Sequence, residues 1–486
     1  MDRPFFKTGE YFVIKYLTKL FLFIYGVVMK KRVSSEKRGM SSGHPVLSCD
    51  VSQGLEKKFI KYVSQNILAM LGISAYILAD TFFISWGEGA DGITALNLVL
   101  PVYSLIFAVG SMIAVGSAIK FSILRARGEL RADEYFTNAV FFTFLFSLAF
   151  IAGGILAPDK LVELLGGEGR IVAVGTPYTR IFLMFAPFFM WNYVWCAFIR
   201  NDGNPSLVMA ATLVSNFFNI VMDYVLMFPM GLGMAGAALA TAVSPVLSIA
   251  ICSIHFLTKR NTIKIRWKRP SLKKLAEACQ LGVSSFVGEL SSGVTTMIFN
   301  FLILGLAGNE GVAAYGIVAN VAIVVTSIFN GIAQGAQPLI SDFYGKDEKN
   351  SVRRVLHLSV GTAAALAVLM VLAVNLFAET IVNIFNSEQN MQLAEYAMEG
   401  IRLYFIGFLF GGFNIVGTGY LSATENAGWA FVTSILRGVV AISVCALVMA
   451  ALFGMTGVWL AFAAAELITA AVMAAAMKRS RSSSSL

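Results

Sequence analysis

Long apolar stretches, separated by short polar loops, dominate the chain from residue 62 onward. A helix that crosses a bilayer needs about 20 mostly apolar residues, and twelve stretches meet that requirement. The pattern predicts an all-α membrane protein with twelve transmembrane helices, numbered 1 to 12 in chain order. They run over Tyr62–Trp86, Ile93–Leu124, Tyr135–Ala157, Tyr178–Arg200, Ser206–Phe228, Gly233–Leu257, Ala276–Leu306, Val312–Tyr344, Val352–Ala378, Gly400–Ala423, Trp429–Phe453 and Thr456–Met477.

Two short motifs occur once in each half of this pattern. Gly233-Met-Ala-Gly236 at helix 6 recurs as Gly454-Met-Thr-Gly457 at helix 12, and Ile113-Ala-Val-Gly116 recurs as Ile332-Ala-Gln-Gly335. Both pairs are offset by roughly 220 residues, which is typical of an internal duplication. Six helices per repeat bring both halves into the membrane in the same direction, so the motifs predict two pseudo-symmetric six-helix bundles with a substrate cavity between or within them.

This repeat divides the chain into five parts. Residues 56–258 form the predicted N-lobe with helices 1 to 6, and residues 276–477 form the C-lobe with helices 7 to 12. A basic linker at 259–275 joins the lobes, and residues 478–486 form a tail. Residues 1–55 precede the repeat as an N-terminal extension.

The extension contains an apolar stretch at Tyr11–Met29 that is interrupted by Lys15 and Lys19. An interfacial amphipathic helix and a thirteenth span are both compatible with this pattern. A third possibility is that translation begins at Met29 or Met40. No small-residue cleavage site follows the stretch, which argues against a cleaved signal peptide.

Composition excludes a water-soluble protein. The chain is 57% hydrophobic with a mean hydropathy of +0.74, and it is 13% charged, whereas soluble domains carry about 25% charged residues. The net charge of +9 comes from short basic runs between apolar stretches, so the expected partner is the lipid bilayer and not a nucleic acid. The five cysteines show no CxxC spacing and predict small core residues, with no disulfide or zinc framework.

Loop charges predict the orientation in the membrane. The loop from Lys259 to Lys274 carries eight basic residues and no acid, so it should face the cytoplasm. Alternate loops should then face outward, and the loops at Gly87–Gly92 and Asn386–Glu399 do carry acids without bases. The sequence therefore predicts a multi-pass protein of the bacterial inner membrane, with both ends of the twelve-helix core in the cytoplasm.

Two carboxylates are predicted inside the N-lobe spans. A charge deep in a span costs at least about 2.5 kcal/mol, so each one is a candidate functional residue. Asn219 and Asp223 share one face of helix 5, and Asp80 lies near the outer end of helix 1, about 20 residues beyond Lys61. Buried like charges at a similar depth cannot easily both stay ionised, which predicts a proton or sodium site. Two other interpretations remain open: Asp80 could cap a turn, and Asp223 could be a helix-end carboxylate satisfied by water.

A second charged set is predicted in the C-lobe. Glu289 on helix 7, Arg437 on helix 11 and Glu466 on helix 12 each lie about 9 to 13 residues from their helix starts, which places them near mid-membrane. Two glutamates and one arginine carry a net negative charge, which would attract a cation, so the three residues are a candidate network for a substrate or an ion. An ion pair that only locks helices 11 and 12 together explains the same residues equally well.

Several ordered motifs resemble those of multidrug and toxic compound extrusion (MATE) transporters, over about Glu56 to Met477. Those of the N-lobe begin with Asp80-Thr-Phe-Phe-Ile-Ser-Trp-Gly87, and those of the C-lobe are similar to the MepA-like and DinF-like bacterial branch. The others are Ala95-Leu-Asn-Leu98, Arg200-Asn-Asp-Gly-Asn-Pro205, Asn219-Ile-Val-Met-Asp223, Gly236-Ala-Ala-Leu-Ala-Thr241, Ala313-Ala-Tyr-Gly316, Gly331-Ile-Ala-Gln-Gly-Ala-Gln-Pro338 and Tyr344-Gly345.

The resemblance implies a secondary antiporter that exports amphipathic, cationic drugs or toxins in exchange for H⁺ or Na⁺. Carried over residue by residue, the cation-coupling network of the family falls on Asp80, Asn219, Asp223 and Thr241, with Asp80 and Asp223 as the acids that would hold Na⁺. Glu289 matches a C-lobe carboxylate of one branch. The partner acid on helix 10 is absent, because Gly411 and Asn414 occupy that stretch.

Two other functions compete with this hypothesis. A flippase for lipid-linked precursors, from the same superfamily, would need several bases lining the cavity, and Lys120, Arg180, Arg402 and Arg437 are the candidates. A membrane-embedded enzyme would need a clustered catalytic set, which three dispersed histidines do not supply. We therefore expect a transporter and not an enzyme, without a cofactor, acting as a monomer on small molecules. The sequence does not identify the substrate, because a promiscuous apolar cavity has no characteristic sequence motif.

Overall fold

A computed structural model describes residues 46–266, 268–386 and 389–483 of the chain, with side chains from residue 54 to residue 480. The interpretations proposed for Tyr11–Met29, and the alternative starts at Met29 and Met40, concern residues outside these ranges. Over the described ranges the regular structure is entirely helical. Eight helices are long and apolar enough to cross a membrane, and one bent pair adds a ninth.

Three of these nine elements are two helices joined at a glycine with a non-helical backbone, at Gly89, Gly308 and Gly454. The described residues therefore contain twelve spans, which confirms the predicted fold class. The spans are α1 (46–88), α2 (90–126), α3 (Glu134–Leu156), α4 (Arg170–Met184 with Ala186–Asn201), α5 (Pro205–Met227), α6 (Gly233–Leu257), α7 (272–307), α8 (309–345), α9 (Lys349–Leu376), α10 (Met391–Ala423), α11 (427–453) and α12 (455–483).

Four helical hairpins share a Gly-x-x-Gly turn at the same end of the bundle. The first glycine adopts positive φ, as at Gly454 (φ +59°), a conformation that costs little only without a Cβ. The second glycine packs against the preceding helix: a Cβ on Gly457 would overlap the Met449 carbonyl oxygen. The turns are Gly89-Ala-Asp-Gly92, Gly233-Met-Ala-Gly236, Gly308-Asn-Glu-Gly311 and Gly454-Met-Thr-Gly457.

These turns and the short connecting helices repeat between the two halves of the chain. The α1–α2 hairpin corresponds to α7–α8, and α5–α6 corresponds to α11–α12. A short helix follows the third span of each half, at Pro158–Leu164 and at Ala378–Phe385. All of these features recur at an offset of about 220 residues, as the sequence motifs do. The two halves are therefore built from equivalent elements in the same order.

Several helix ends depart from the predicted bounds. Helix α1 is helical from residue 46, before the predicted start at Tyr62, and α10 begins at Met391, nine residues before the predicted Gly400. Helix α4 begins at Arg170, eight residues before the predicted start, and bends by 48° before Ala186. Pro187 follows the bend, where its missing N–H removes a helical hydrogen bond. The linker is shorter than predicted, because α7 already begins at Leu272, where the Ser271 hydroxyl accepts a 3.4 Å hydrogen bond from the Lys274 N–H.

Helix α1 packs against both lobes. Its first half contributes Leu55, Phe59, Val63 and Ile67 to the same buried cluster as the C-lobe core. Its second half contributes Phe83 and Ile84 to the core of the N-lobe. Helix α1 therefore joins the core of the N-lobe to the contact between the lobes.

The lobes meet closely toward the end of the bundle that carries the basic linker, called here the basic face. A Cβ on Gly116 of α2 would overlap the Ala278 carbonyl of α7, and a Cβ on Gly335 of α8 would overlap the backbone of α1. These are the two glycines of the repeated Ile-Ala-x-Gly motif. Polar contacts between the lobes are concentrated in the same region: Lys120–Glu425, Tyr135–Glu277, Arg200–Gln334 and Asn201–Gln337.

Candidate functional site

Two buried carboxylates of the N-lobe lie in the half of the membrane opposite the basic face. Asp80 is 8% exposed on α1 and Asp223 is 0% exposed on α5, and their charges are close enough to interact. In each side chain, Oδ1 has no hydrogen-bond partner among the described residues. Buried polar atoms are usually hydrogen-bonded, so these two oxygens retain unused acceptor capacity.

Asn219 and Thr241 complete one side of this pair. Asn219 lies one turn before Asp223 on α5, and Thr241 faces it from α6. One orientation of the Asn219 side-chain amide gives hydrogen-bond partners to both its nitrogen and its oxygen. In that orientation Nδ2 donates to Asp223 Oδ2 at 3.3 Å. Its oxygen then accepts from the Thr241 N–H at 3.2 Å and the Thr241 hydroxyl at 3.3 Å. The two residues thus hold Asp223 in place and leave its Oδ1 open.

The geometry excludes the two alternative interpretations of these acids. Asp80 lies inside an uninterrupted helix that ends at residue 88, so it does not cap a turn at Thr81. Asp223 has no exposed surface, so it is not a helix-end carboxylate in contact with bulk water. The structure therefore brings together the four residues predicted for the N-lobe, whereas their role in coupling stays a prediction.

Three tyrosines lie within electrostatic range of the acid pair and were missed from the sequence. Tyr76 lies within electrostatic range of both carboxylates, and Tyr103 and Tyr178 lie within range of Asp80. The hydroxyl of Tyr103 has no hydrogen-bond partner among the described residues. Tyr76 could have been found, because it precedes Asp80 by four residues on one helix face. Tyr103 and Tyr178 reach the site only through the packing of α2 and α4.

In the C-lobe the structure pairs Arg437 with Glu466. Glu466 on α12 is 2% exposed, and its Oε1 accepts a 2.7 Å hydrogen bond from Arg437 Nε on α11. Asn414 of α10 donates to Glu466 Oε2 at 2.7 Å and to the Glu466 carbonyl at 2.8 Å. Gly411 lies against the same carboxyl group. A π-helical turn at Leu436–Val440 interrupts α11 where it presents Arg437.

The depth argument placed Glu289 in this network, and the structure corrects that placement. Glu289 is half-buried on α7, and its Oε1 accepts a 3.4 Å hydrogen bond from the Tyr193 hydroxyl of the N-lobe. Equal depth along two helices does not fix the face that each presents, so it could not separate Glu289 from Arg437 and Glu466. Glu289 therefore lies at the contact between the lobes, within range of Tyr76.

A polar cluster near the basic face was also missed, because its residues are dispersed along the sequence. His255 is fully buried, and its Nε2 lies 2.7 Å from Asp202 Oδ2. Asn204 Nδ2 donates to His255 Nδ1 at 3.2 Å, which assigns the ring proton to Nε2. Asp202 also pairs with Arg125 and accepts from the Thr262 N–H at 2.8 Å. The cluster ties together the ends of α2, α4 and α6 at the start of the linker.

Twelve spans in two equivalent lobes, with a buried acid pair inside one of them, define a multi-pass membrane transporter. The MatE family model matches residues 66–225 and 285–447, and the chain belongs to this family. Its members are transporters, so the chain is not an enzyme. The resemblance stated from the sequence motifs is thereby confirmed.

Curated relatives match along most of their length. Multidrug export protein MepA of Staphylococcus aureus strain MRSA252 is 27% identical over 402 residues, which cover 82% of this chain and 88% of that protein. Multidrug export protein MepA of Staphylococcus saprophyticus is 27% identical over 403 residues, with 81% and 87% covered. The chain is therefore similar to MepA-like proteins of bacteria.

Solved structures show the same fold. One is described as the outward-facing conformation of a multidrug resistance MATE family transporter of the MOP superfamily, with a TM-score of 0.81 at 21% identity, covering 89% of this chain and 97% of the other. Another is a crystal structure of MATE in complex with MaL6, with a TM-score of 0.84 at 20% identity and coverage of 89% and 98%. These likenesses support the two-lobed architecture.

Proposed function

We propose that the protein exports amphipathic, cationic drugs or toxins in exchange for H⁺ or Na⁺ that enters the cell. The relatives named as multidrug export proteins support export of drug-like compounds. The observation that carries the antiport proposal is the pair Asp80 and Asp223, buried together with an unpartnered oxygen on each. Such a pair takes up positive charge readily, because two buried carboxylates repel one another when both are ionised.

The coupling step begins with this pair empty and ionised in the outward-open state. A proton or Na⁺, supplied by the gradient, enters from the side opposite the basic face and neutralises it. The positive charge of a bound drug then loses the attraction of the site, so the drug is released outward. Drug and ion compete for one negative site, which is the differential binding that antiport requires.

Helix α1 gives this neutralisation a structural route. Asp80 lies on the half of α1 that packs into the N-lobe, and the other half packs into the C-lobe cluster. When repulsion between the carboxylates is relieved, α1 can pack more closely against α5 and shift its contacts with α8. The ion and the lobe interface are then coupled through a single helix.

The flippase alternative is disfavoured by the partners of the basic residues. A diphosphate group would need free cations in the cavity, but Lys120 pairs with Glu425 and Arg437 pairs with Glu466. Arg180 and Arg402 are exposed, ten and eleven residues after the starts of α4 and α10. In the half of the N-lobe opposite the basic face, the buried charge is that of Asp80 and Asp223, which favours a cationic substrate. The buried Arg200 lies near the basic face, where it donates to Asn66 and Gln334.

The proposal includes a location and an assembly. The basic face would lie in the cytoplasm of a bacterial inner membrane, because eight basic residues without an acid occupy the loop from Lys259 to Lys274. One chain supplies both lobes and the complete acid pair, which supports function as a monomer in the lipid bilayer.

The test is ethidium transport in vesicles that contain the purified protein, driven separately by a proton gradient and by a sodium gradient. We expect transport under one of these gradients and none after the gradient is collapsed. Transport that persists without either gradient would contradict antiport. Transport of a lipid-linked precursor in place of ethidium would favour the flippase.

A further inference from the structure

A groove on the surface of the C-lobe is distinct from the acid pair and from the lobe interface. Its volume is about 440 Å³, and it lies between α9 and α12. Both helices pack on α10, whose Phe413 forms the floor. The lining residues are Leu356, His357, Val360, Phe413, Ala474, Met477 and Lys478.

The polar and apolar parts of the groove lie at different depths. Lys478 follows Gly454 by 24 residues of α12, which is about 36 Å and therefore at headgroup level on the basic face. Phe413 precedes the end of α10 at Ala423 by ten residues, or about 15 Å. The groove thus spans one leaflet, with its cationic residue at the surface and its apolar residues below.

The charged end has a second cation. Arg353 precedes His357 by one helical turn and lies on the same side of α9. Both Arg353 and Lys478 are exposed, and neither forms a salt bridge with any described residue. Among the described residues, no acid lines the groove. Its outer end is therefore electrostatically complementary to an anion.

We propose that this groove binds an anionic phospholipid, with an acyl chain along Phe413 and Ala474 and the phosphate between Lys478 and Arg353. Acyl chains of all lipids are equally apolar, so the apolar lining gives no preference among them. Selection comes from the headgroup, because basic residues near the membrane surface attract anionic lipids. The lipid would fix α9 against α12 and so brace the C-lobe from outside.

Native mass spectrometry of the purified full chain tests this proposal. The protein is titrated with phosphatidylglycerol and with phosphatidylcholine of identical acyl chains. We expect the wild type to retain phosphatidylglycerol several-fold better, and the double variant Arg353→Ala with Lys478→Ala to lose that preference while binding phosphatidylcholine as before. Water-soluble glycerol phosphate should not displace the lipid, because the acyl chain contributes to the binding of the lipid.

Two further variants separate the groove from general surface charge. Lys273→Ala removes an exposed cation in the first turn of α7 and should leave the preference unchanged. Ala474→Trp fills the groove without changing charge and should lower phosphatidylglycerol retention. The proposal is overturned if the double variant keeps the wild-type preference, if Lys273→Ala lowers it equally, or if Ala474→Trp has no effect. Size-exclusion profiles that match the wild type confirm that each variant is folded.

Discussion

Arg437 and Glu466 form a 2.7 Å ion pair that joins α11 to α12 inside the C-lobe. The Glu466 side chain is 2% exposed and the Arg437 side chain is 26% exposed. Solvent therefore compensates part of the charge of Arg437, whereas the charge of Glu466 is compensated by the ion pair. Asn414 supplies the remaining donor to that carboxylate. The arrangement leaves no free charge on Glu466, which favours a structural role over direct substrate binding.

The first prediction follows from this pair. Arg437→Ala should lower the free energy of unfolding by about 3 kcal/mol, because it leaves a buried carboxylate uncompensated. Glu466→Gln should partly rescue Arg437→Ala, since the amide removes the buried charge and can still accept from Asn414. Thermal unfolding in detergent of both single variants and the double variant measures this effect. Additive losses in the double variant would contradict the pairing.

The second prediction concerns the Gly-x-x-Gly hairpins. A Cβ on Gly457 would overlap the Met449 carbonyl, so Gly457→Ala should destabilise the C-lobe by about 1–3 kcal/mol through overpacking. The matched control is Gly361→Ala, because Gly361 lies within α9 and a Cβ there meets nothing within 4 Å. That variant should be neutral or stabilising by about 0.5–1 kcal/mol. Equal melting temperatures for the two variants would disprove the proposed role of the turn.

The third prediction concerns the contact between the lobes. Gly116→Ala should push α2 away from the Ala278 carbonyl of α7 and favour the state in which the lobes part at the basic face. Cys279, half-buried next to this contact, should then react several-fold faster with a maleimide in a chain whose other cysteines are replaced by serine. Gly316→Ala, where a Cβ meets nothing within 4 Å, is the control. An unchanged rate for Gly116→Ala would show that the contact does not limit opening.

The architecture could be predicted from the sequence because its signals are local. A span is a run of about 20 apolar residues, and the hairpin turns are marked by glycines whose positive φ excludes most other residues. The repeated Gly233-Met-Ala-Gly236 and Gly454-Met-Thr-Gly457 motifs proved to be equivalent turns in equivalent hairpins. Helix ends were less accurate: the early start of α4 at Arg170 lies in a more polar stretch that hydropathy does not detect.

Helix spacing alone predicts a site only as far as residues share a helix, and the grouping of Asp80 with Asp223 came from their similar depth and from the resemblance to the family. Asn219 and Asp223 lie one turn apart, so their spacing placed them on one face. The placement of Glu289 beside Arg437 and Glu466 was wrong because its hydrogen-bond partner, Tyr193, lies in the other lobe. The rotation of α7 about its axis depends on packing between the lobes. Tyr103 and Tyr178 were missed because they come within electrostatic range of Asp80 only through the packing of α2 and α4 inside the N-lobe.

The fourth prediction concerns orientation. A phosphatase reporter fused within the loop from Lys259 to Lys274 should be inactive, and a cytoplasm-active reporter there should be active, because basic loops are retained in the cytoplasm. Fusion at Asp159, in the short helix Pro158–Leu164 at the opposite end, should give the reverse result. Periplasmic activity in the basic loop would invert the proposed direction of transport.

The fifth prediction addresses the coupling mechanism through Asp223 and Asp80. Asp223→Asn keeps the shape of the side chain and can still bond to Asn219, but it cannot ionise. Neutralised permanently, the pair can no longer respond to the gradient, so ion-driven efflux should fall by at least roughly tenfold, as expected when about 1.4 kcal/mol or more of coupling free energy is lost. Asp80→Asn should behave in the same way.

The control for this prediction is Asp159→Asn, which removes an exposed carboxylate from the same end of the bundle and should transport as the wild type does. Expression, dye binding in detergent and efflux from vesicles are measured for all three variants. Folding should survive in Asp80→Asn and Asp223→Asn, because each neutral amide relieves the repulsion between two buried charges. Wild-type efflux in either variant would place the coupling site elsewhere. Glu289 would then be the next residue to test, since it is half-buried at the lobe contact and, among the C-lobe candidates, it is the acid not paired with Arg437.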